Sequence, residues 1–128
     1  MNGVLHQTGF CRTLTRTVDG GAFSATVELN PEHPIFRGHF PGRPITPGVC
    51  SLELTREVVG AVTGRSWLIR SCQSVKFSRL IEPGITPIVR VAGTLSYRDE
   101  TSLSVSATVQ TDEGIACKIS GLFEPTDA

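Results

Sequence analysis

The chain has few aromatic residues and no block of like charge. Only 6% of its 128 residues are aromatic, with one Trp and one Tyr, and its 12 basic residues are balanced by 12 acidic ones. Little is therefore present to stack on nucleic-acid bases or to neutralise a phosphate backbone. The composition disfavours a nucleic-acid-binding protein.

Long hydrophobic runs and paired cysteines are missing as well. No apolar stretch reaches the ~18 residues that a transmembrane helix needs, and residues 1–6 lack the charged start and apolar core of a signal peptide. We therefore expect no membrane contact. The cysteines show no CxxC spacing, which argues against a zinc site and a disulfide framework. We expect four buried thiols in a reducing cytoplasm: Cys11, Cys50, Cys72 and Cys117.

Alternation of apolar and polar residues predicts an antiparallel sheet. Residues 13–18 and 22–29 flank Asp19-Gly20-Gly21, a turn signal that predicts a hairpin. Later strand candidates suggest a four-stranded meander and cover residues 67–80, 88–97, 103–109 and 115–123.

A long loop follows the hairpin. Residues 30–47 hold five of the eight prolines, so neither a regular helix nor a strand can continue through them. A loop of this length inside a small domain is usually functional or disordered. Its apolar side chains indicate an ordered, packed loop: Ile35, Phe36, Phe40 and Ile45.

One helix is predicted after this loop. Thr46 suits the N-cap, Pro47 the first helical position, and Gly64 the C-terminal cap after residue 62 or 63. The helix is apolar on most of its circumference, so other structure should wrap it. We therefore predict a single domain over residues 1–128 of class α+β, with an antiparallel sheet against one helix.

Two side chains are candidates for acid–base chemistry. His39 lies in Gly38-His39-Phe40-Pro41-Gly42, where the flanking residues would fix its backbone, and His titrates near neutral pH. His6 and His33 are weaker candidates because nothing rigid is evident around them. Glu53 lies about two turns into the helix, where desolvation would raise its pKa. Alternatively, Glu53 faces solvent or binds Arg56 three residues on.

The start of the helix is a third candidate. The backbone N–H groups of Gly48 and Val49 would lack helical partners and lie at the positive end of the helix dipole. Gly48 has no side chain to keep a ligand away from the backbone. Such a helix end can polarise a carbonyl oxygen on which negative charge develops.

Residues 33–49, HPIFRGHFPGRPITPGV, followed by Glu53 fourteen residues after His39, resemble the 3-hydroxyacyl-acyl carrier protein dehydratases of fatty acid synthesis. The resemblance resumes at Val75-Lys76-Phe77, at Arg79 and at Pro83-Gly84. It implies the hot-dog fold, an antiparallel sheet wrapped around one long central helix.

The resemblance also implies roles for the matching residues. His39 would remove the proton next to the thioester carbonyl, and Glu53 would donate a proton to the departing 3-hydroxyl. The Gly48 N–H would hold the thioester oxygen, with Val49 and Phe40 lining the substrate site. In this family the His and the Glu of one site come from opposite subunits of a dimer. We expect a homodimer or a trimer of dimers, with no metal or organic cofactor.

The acyl carrier protein is the expected partner, an acidic one. Basic residues that could meet it are Arg37, Arg43 and Arg79. Glu53 favours a simple dehydratase, because the related dehydratase-isomerases carry Asp there. One departure is Glu57, where the family usually has Gln. A second carboxylate could keep Glu53 protonated by repulsion, or Arg56 could neutralise it.

Two other functions are compatible with the sequence. A hot-dog thioesterase would hydrolyse the thioester, with the carboxylate activating water. Alternatively, the chain is a non-catalytic subunit of a heteromeric dehydratase. The sequence does not give the length of the acyl chain, which would depend on the packing of residues such as Leu52, Val59 and Phe77.

Overall fold

A six-stranded antiparallel sheet and one long helix form the fold in the computed structural model, which describes residues 3–36 and 44–126. The class α+β is confirmed. In chain order the elements are α1 (Val4–Gln7), β1 (Cys11–Asp19), β2 (Ala22–Leu29), a short 3-10 helix (Pro34–Phe36), α2 (Gly48–Thr63), β3 (Trp67–Phe77), β4 (Ile88–Asp99), β5 (Ser102–Thr111) and β6 (Gly114–Pro125).

The strand order across the sheet is β1-β2-β4-β5-β6-β3. The predicted hairpin is confirmed, since β1 pairs with β2 from Cys11↔Leu29 to Asp19↔Ala22. The four-stranded meander is wrong in one respect, because β3 pairs with β6 at the far edge and β4 pairs with β2. Alternation shows which face of a strand is buried but not which strand lies beside it.

Strand β3 is also shorter than predicted. It ends at Phe77, where the ladder breaks because the N–H groups of Ser78 and Arg79 both donate to the carbonyl of Ala116. Most of its side chains are exposed. Cys72 is among them, so the prediction of four buried thiols is wrong at that position, although all four cysteines are free.

Helix α2 begins at Gly48, with Pro47 as its N-cap, and the predicted capping by Thr46 is wrong. The Thr46 N–H donates to the carbonyl of Ile81 at 2.8 Å, and the Pro47 carbonyl accepts the Cys50 N–H at 2.9 Å. These bonds start the helix beyond Thr46, whose side chain makes no cap. The predicted end is confirmed, because Gly64 is left-handed (φ 71°) and its N–H donates to the Gly60 carbonyl.

The core lies between one face of the sheet and α2. Leu54, Val58 and Val59 of the helix are buried, while Val49 at its start is 68% exposed. From the sheet, the fully buried side chains include Val27, Val91, Val105, Val109 and Phe123. The prediction of a wrapped helix is therefore confirmed for the middle of α2, whereas its last turn, residues 61–63, is half-buried.

The loop before α2 is packed where the structure describes it. Phe36 and Ile45 are buried, and the His33 ring lies edge-on against Phe10 with centroids 5.6 Å apart. Phe40 lies outside the described residues. Within residues 3–36 and 44–126 no helix is long and apolar enough to span a bilayer, and no three metal-ligating side chains cluster.

Candidate active site

Glu53 lies on the second turn of α2 and pairs with Arg56 on the next turn. The Arg56 Nε donates to Glu53 Oε1 at 2.9 Å, and Nη2 donates to Oε2 at 2.5 Å. The two side chains are about a quarter exposed. The alternative in which Glu53 binds Arg56 is therefore confirmed. The pair is bidentate, and this geometry fixes the plane of the carboxyl group.

The Arg56 guanidinium is anchored on its other side. Its Nη1 donates to the Trp67 carbonyl at 2.9 Å, at the first residue of β3. Trp67 is itself fully buried, and its indole N–H donates to the Thr63 hydroxyl at 2.8 Å. The orientation of Glu53 is thus linked to the rigid junction between α2 and β3.

Glu57 is one turn further along α2 and is almost completely buried, with 3% exposed. Its carboxylate accepts the backbone N–H groups of Leu5 at 3.0 Å and His6 at 3.1 Å. It also lies 2.5 Å from the Nδ1 of His6. Glu57 therefore binds the first turn of α1 to the middle of α2, with three donors on one carboxylate.

His6 continues this connection to the sheet. Its Nε2 lies 2.8 Å from the Thr13 hydroxyl on β1, and its side chain is 10% exposed. The expectation that nothing rigid surrounds His6 is wrong, because its partners lie far away in the chain. A pocket of about 240 Å³ opens beside these groups, lined by His6, Cys11, Arg12, Thr13, Arg16, Glu57 and Ala61.

The two carboxyls have opposite pKa shifts. Burial raises the pKa of Glu53, the Arg56 guanidinium opposes that rise, and Glu57 adds to it by a hydrogen bond and by its charge. Burial also acts to raise the pKa of Glu57, but the hydrogen bonds from His6, from Glu53 and from the Leu5 and His6 amides bring it down to about 2. A proton shared by this pair therefore resides on Glu53.

The helix N-terminus lies under an aromatic ring. A Cβ at Gly48 would be 3.1 Å from the Phe77 ring, so glycine allows this close contact. Phe77 is 53% exposed. Thr46 is 8% exposed, and its Oγ1 has no hydrogen-bond partner within the part of the chain that the structure describes. The start of α2 thus combines orphan backbone donors with apolar surface from Val49 and Phe77.

Some predicted site residues lie outside the described residues, namely His39, Phe40, Arg37 and Arg43. Their roles stay predictions. Arg79 is exposed and lies against Gly114. Of the residues named for acyl-chain length, Val59 is fully buried and Leu52 is half-buried.

Sequence comparisons identify the family. Residues 15–117 match the family described as ApeI-like, ApeI dehydratase. The chain belongs to the ApeI-like dehydratase family. The 3-hydroxyacyl-[acyl-carrier-protein] dehydratase FabZ of Chloroflexus aggregans is 33% identical over 107 residues, which cover 77% of this chain and 72% of that protein. The FabZ protein of Blochmanniella pennsylvanica is 29% identical over 110 residues, 79% of this chain and 72% of that one.

Solved structures confirm the hot-dog fold of this ApeI-like chain. The dehydratase heterocomplex ApeI:P from Xenorhabdus doucetiae matches with a TM-score of 0.67 and 20% identity, covering 87% of this chain and 96% of that one. A hypothetical thioesterase from Streptococcus pneumoniae with coenzyme A matches with a TM-score of 0.64 and 12% identity, over 91% and 85% of the two chains. At these identities the likeness concerns the fold.

Sequence reasoning missed the contacts of His6. The Glu57–His6 pair joins residues 51 positions apart, so no local spacing could reveal it. One signal was available, since a carboxylate on an otherwise apolar helix face requires a partner when buried.

Proposed function

We propose that this chain dehydrates (3R)-3-hydroxyacyl thioesters to trans-2-enoyl thioesters, with an acyl carrier protein as the carrier. The observation that most supports this proposal is the raised pKa of the Glu53 carboxyl together with its position on α2. This half-buried carboxyl has a raised pKa and stands five residues, or about 7.5 Å of helix, from the exposed start of α2 at Gly48. A proton donor beside an oxyanion-binding helix end is what loss of a 3-hydroxyl requires.

The reaction would use three groups. His39 takes the proton from the carbon next to the thioester carbonyl, and the negative charge moves to the thioester oxygen. The Gly48 N–H stabilises that oxygen. Glu53 gives its proton to the 3-hydroxyl, which departs as water as the double bond forms. His39 is left protonated and Glu53 ionised, so an exchange of one proton restores both groups for the next turnover.

We also propose that the active form is a homodimer. Strand β3 is an edge strand with mostly exposed side chains, Leu68 and Phe77 among them. An exposed edge strand is a ready template for pairing with another strand. Pairing of β3 with β3 of a second copy would cover this apolar surface. A trimer of dimers would build on the same contact.

The test is incubation of the purified chain with a 3-hydroxyacyl thioester on acyl carrier protein and, separately, on coenzyme A. The proposal predicts a conjugated enoyl thioester, followed by ultraviolet absorbance and mass spectrometry, with loss of 18 Da. Release of free thiol without that product would contradict it and indicate a thioesterase. Faster turnover on the carrier protein than on coenzyme A is expected. Size-exclusion chromatography with light scattering should show twice the chain mass for a homodimer or six times for a trimer of dimers, and a monomer would contradict the proposed assembly.

One relative supports a second candidate, a subunit of a heteromeric dehydratase. The Xenorhabdus doucetiae structure is a dehydratase heterocomplex by its own description. In that case the purified chain would show no dehydration alone and would gain it on addition of a second hot-dog subunit. Dehydration by the chain alone would exclude this candidate.

A further inference from the structure

The Glu53 carboxyl is held by a cation that is itself fixed in place. Two nitrogens of Arg56 bind the two oxygens of Glu53, and the third binds the Trp67 carbonyl. Each of the three guanidinium nitrogens therefore donates at least one hydrogen bond to the protein. This arrangement places a permanent positive charge within 2.5–2.9 Å of the carboxyl.

We propose that Arg56 is a positioning residue for dehydration: its guanidinium aims the Glu53 carboxyl and makes it a stronger proton donor. The inference rests on the proposed function, in which Glu53 gives its proton to the departing hydroxyl. That step leaves a negative charge on Glu53. A cation already in hydrogen-bonding geometry stabilises the charge as it forms and needs no reorganisation.

The surroundings explain why the cation is needed. Among the described residues, the charged groups that act on Glu53 are Arg56 and Glu57, and the Cys50 thiol lies one turn earlier on the same helix. Glu57 stays ionised because three donors hold it, and its charge favours the protonated form of Glu53. Arg56 acts in the opposite direction, so the carboxyl keeps its proton yet can release it.

A lysine could not replace this geometry. Arginine presents a rigid planar fork that binds both carboxylate oxygens, whereas an ammonium is a point charge on a flexible chain. Here the fork also reaches the Trp67 carbonyl. Substitutions of Arg56 can therefore separate the effect of its positive charge from its effect on the orientation of Glu53. Each effect has its own readout.

The first test is the pH dependence of kcat/KM for dehydration by Arg56→Met. The protonated Glu53 is the active form, so one limb of the pH profile follows the pKa of Glu53. Removing the cation raises that pKa, and we expect this Glu53 limb to move up by about half a unit to one unit with kcat reduced about tenfold. Arg90→Met is the matched control, because Arg90 is exposed, donates to the Ser24 hydroxyl and should leave the limb in place.

The second test separates orientation from charge. Arg56→Lys keeps the positive charge, so its Glu53 limb should stay within about 0.3 unit of the wild type while kcat falls severalfold with KM little changed. An unmoved or lowered limb in Arg56→Met would overturn the proposal. So would an equal shift in Arg90→Met, or full activity of Arg56→Met.

A third readout does not depend on turnover. The carboxyl carbon of Glu53 can be titrated by NMR in the wild type and in Arg56→Met, and its pKa should be higher in the variant. If the wild type fails to dehydrate, the proposed function falls, and this titration still decides whether Arg56 sets the acidity of Glu53. An unchanged titration would reject the inference by itself.

Discussion

Two glutamates four residues apart on α2 have the same chemistry and the same helix face, but their surroundings differ. Glu53 is a quarter exposed and has Arg56 as its partner. Glu57 is buried and accepts three donors from α1. Hydrogen-bond donors and burial therefore decide the role of each carboxyl. Glu57, which accepts three hydrogen bonds, is a structural anion, whereas Glu53 carries the proton.

The largest expected difference concerns catalysis. Glu53→Gln removes the proton donor and should lower kcat by ~10²–10⁴-fold. Its free energy of unfolding should change by less than about 1 kcal/mol, because the Glu53–Arg56 pair is partly exposed. Steady-state kinetics and urea denaturation measure the two effects.

Glu28→Gln is the control for this variant, since it removes a partly exposed carboxylate paired with Arg12. It should retain wild-type turnover. A kcat for Glu53→Gln within tenfold of the wild type would contradict the assignment of the proton donor to Glu53.

The next largest effect concerns stability. Glu57→Gln should lower the free energy of unfolding by up to about 3 kcal/mol at neutral pH, because the pKa of Glu57 falls from 4.5 to about 2 on folding. A lowered pKa stabilises the fold above the unfolded value. The stabilisation is lost as the pH falls from about 4.5 toward 2.

Urea denaturation between pH 7 and pH 2 tests this pH dependence. The gap between the wild type and Glu57→Gln should close across that window, and a gap that is constant with pH would contradict the assignment. We expect the variant to retain dehydration, with the limb of its pH profile that follows Glu53 at lower pH, because the charge that raises the pKa of Glu53 is gone.

The smallest effect is steric. A Cβ at Gly3 would lie 2.5 Å from the Glu57 side chain, which is buried and cannot move aside. Gly3→Ala should therefore cost about 1–3 kcal/mol, measured by urea denaturation. Gly84→Ala is the control, because nothing lies within 4 Å of a Cβ there. Equal stability of the two variants would show that α1 is not held tightly against Glu57.

Local features of the sequence predicted the fold well. The hairpin at Asp19-Gly20-Gly21 and the helix end at Gly64 follow from short-range chemistry, since glycine accepts the backbone angles that a helix end requires. The Glu53–Arg56 pair was one of the alternatives because the two residues are three apart on a helix.

Long-range features could not be predicted in the same way. The pairing of β3 with β6 joins segments about fifty residues apart, and the Glu57–His6 contact joins residues 51 apart. The spacing of residues in the sequence indicates neither the strand pairing nor the Glu57–His6 contact. The prediction of Thr46 as N-cap is wrong for a related reason. A hydrogen bond from its N–H to the distant Ile81 carbonyl fixes its backbone.

An NMR titration of the Glu53 and Glu57 carboxyl carbons in the wild-type protein, assigned with the two Gln variants, tests directly which carboxyl holds the proton. We predict that Glu53 titrates above 4.5 and that Glu57 titrates near 2. The reverse order, or ordinary values for both groups, would contradict the assignment of the acid to Glu53 and of the structural anion to Glu57.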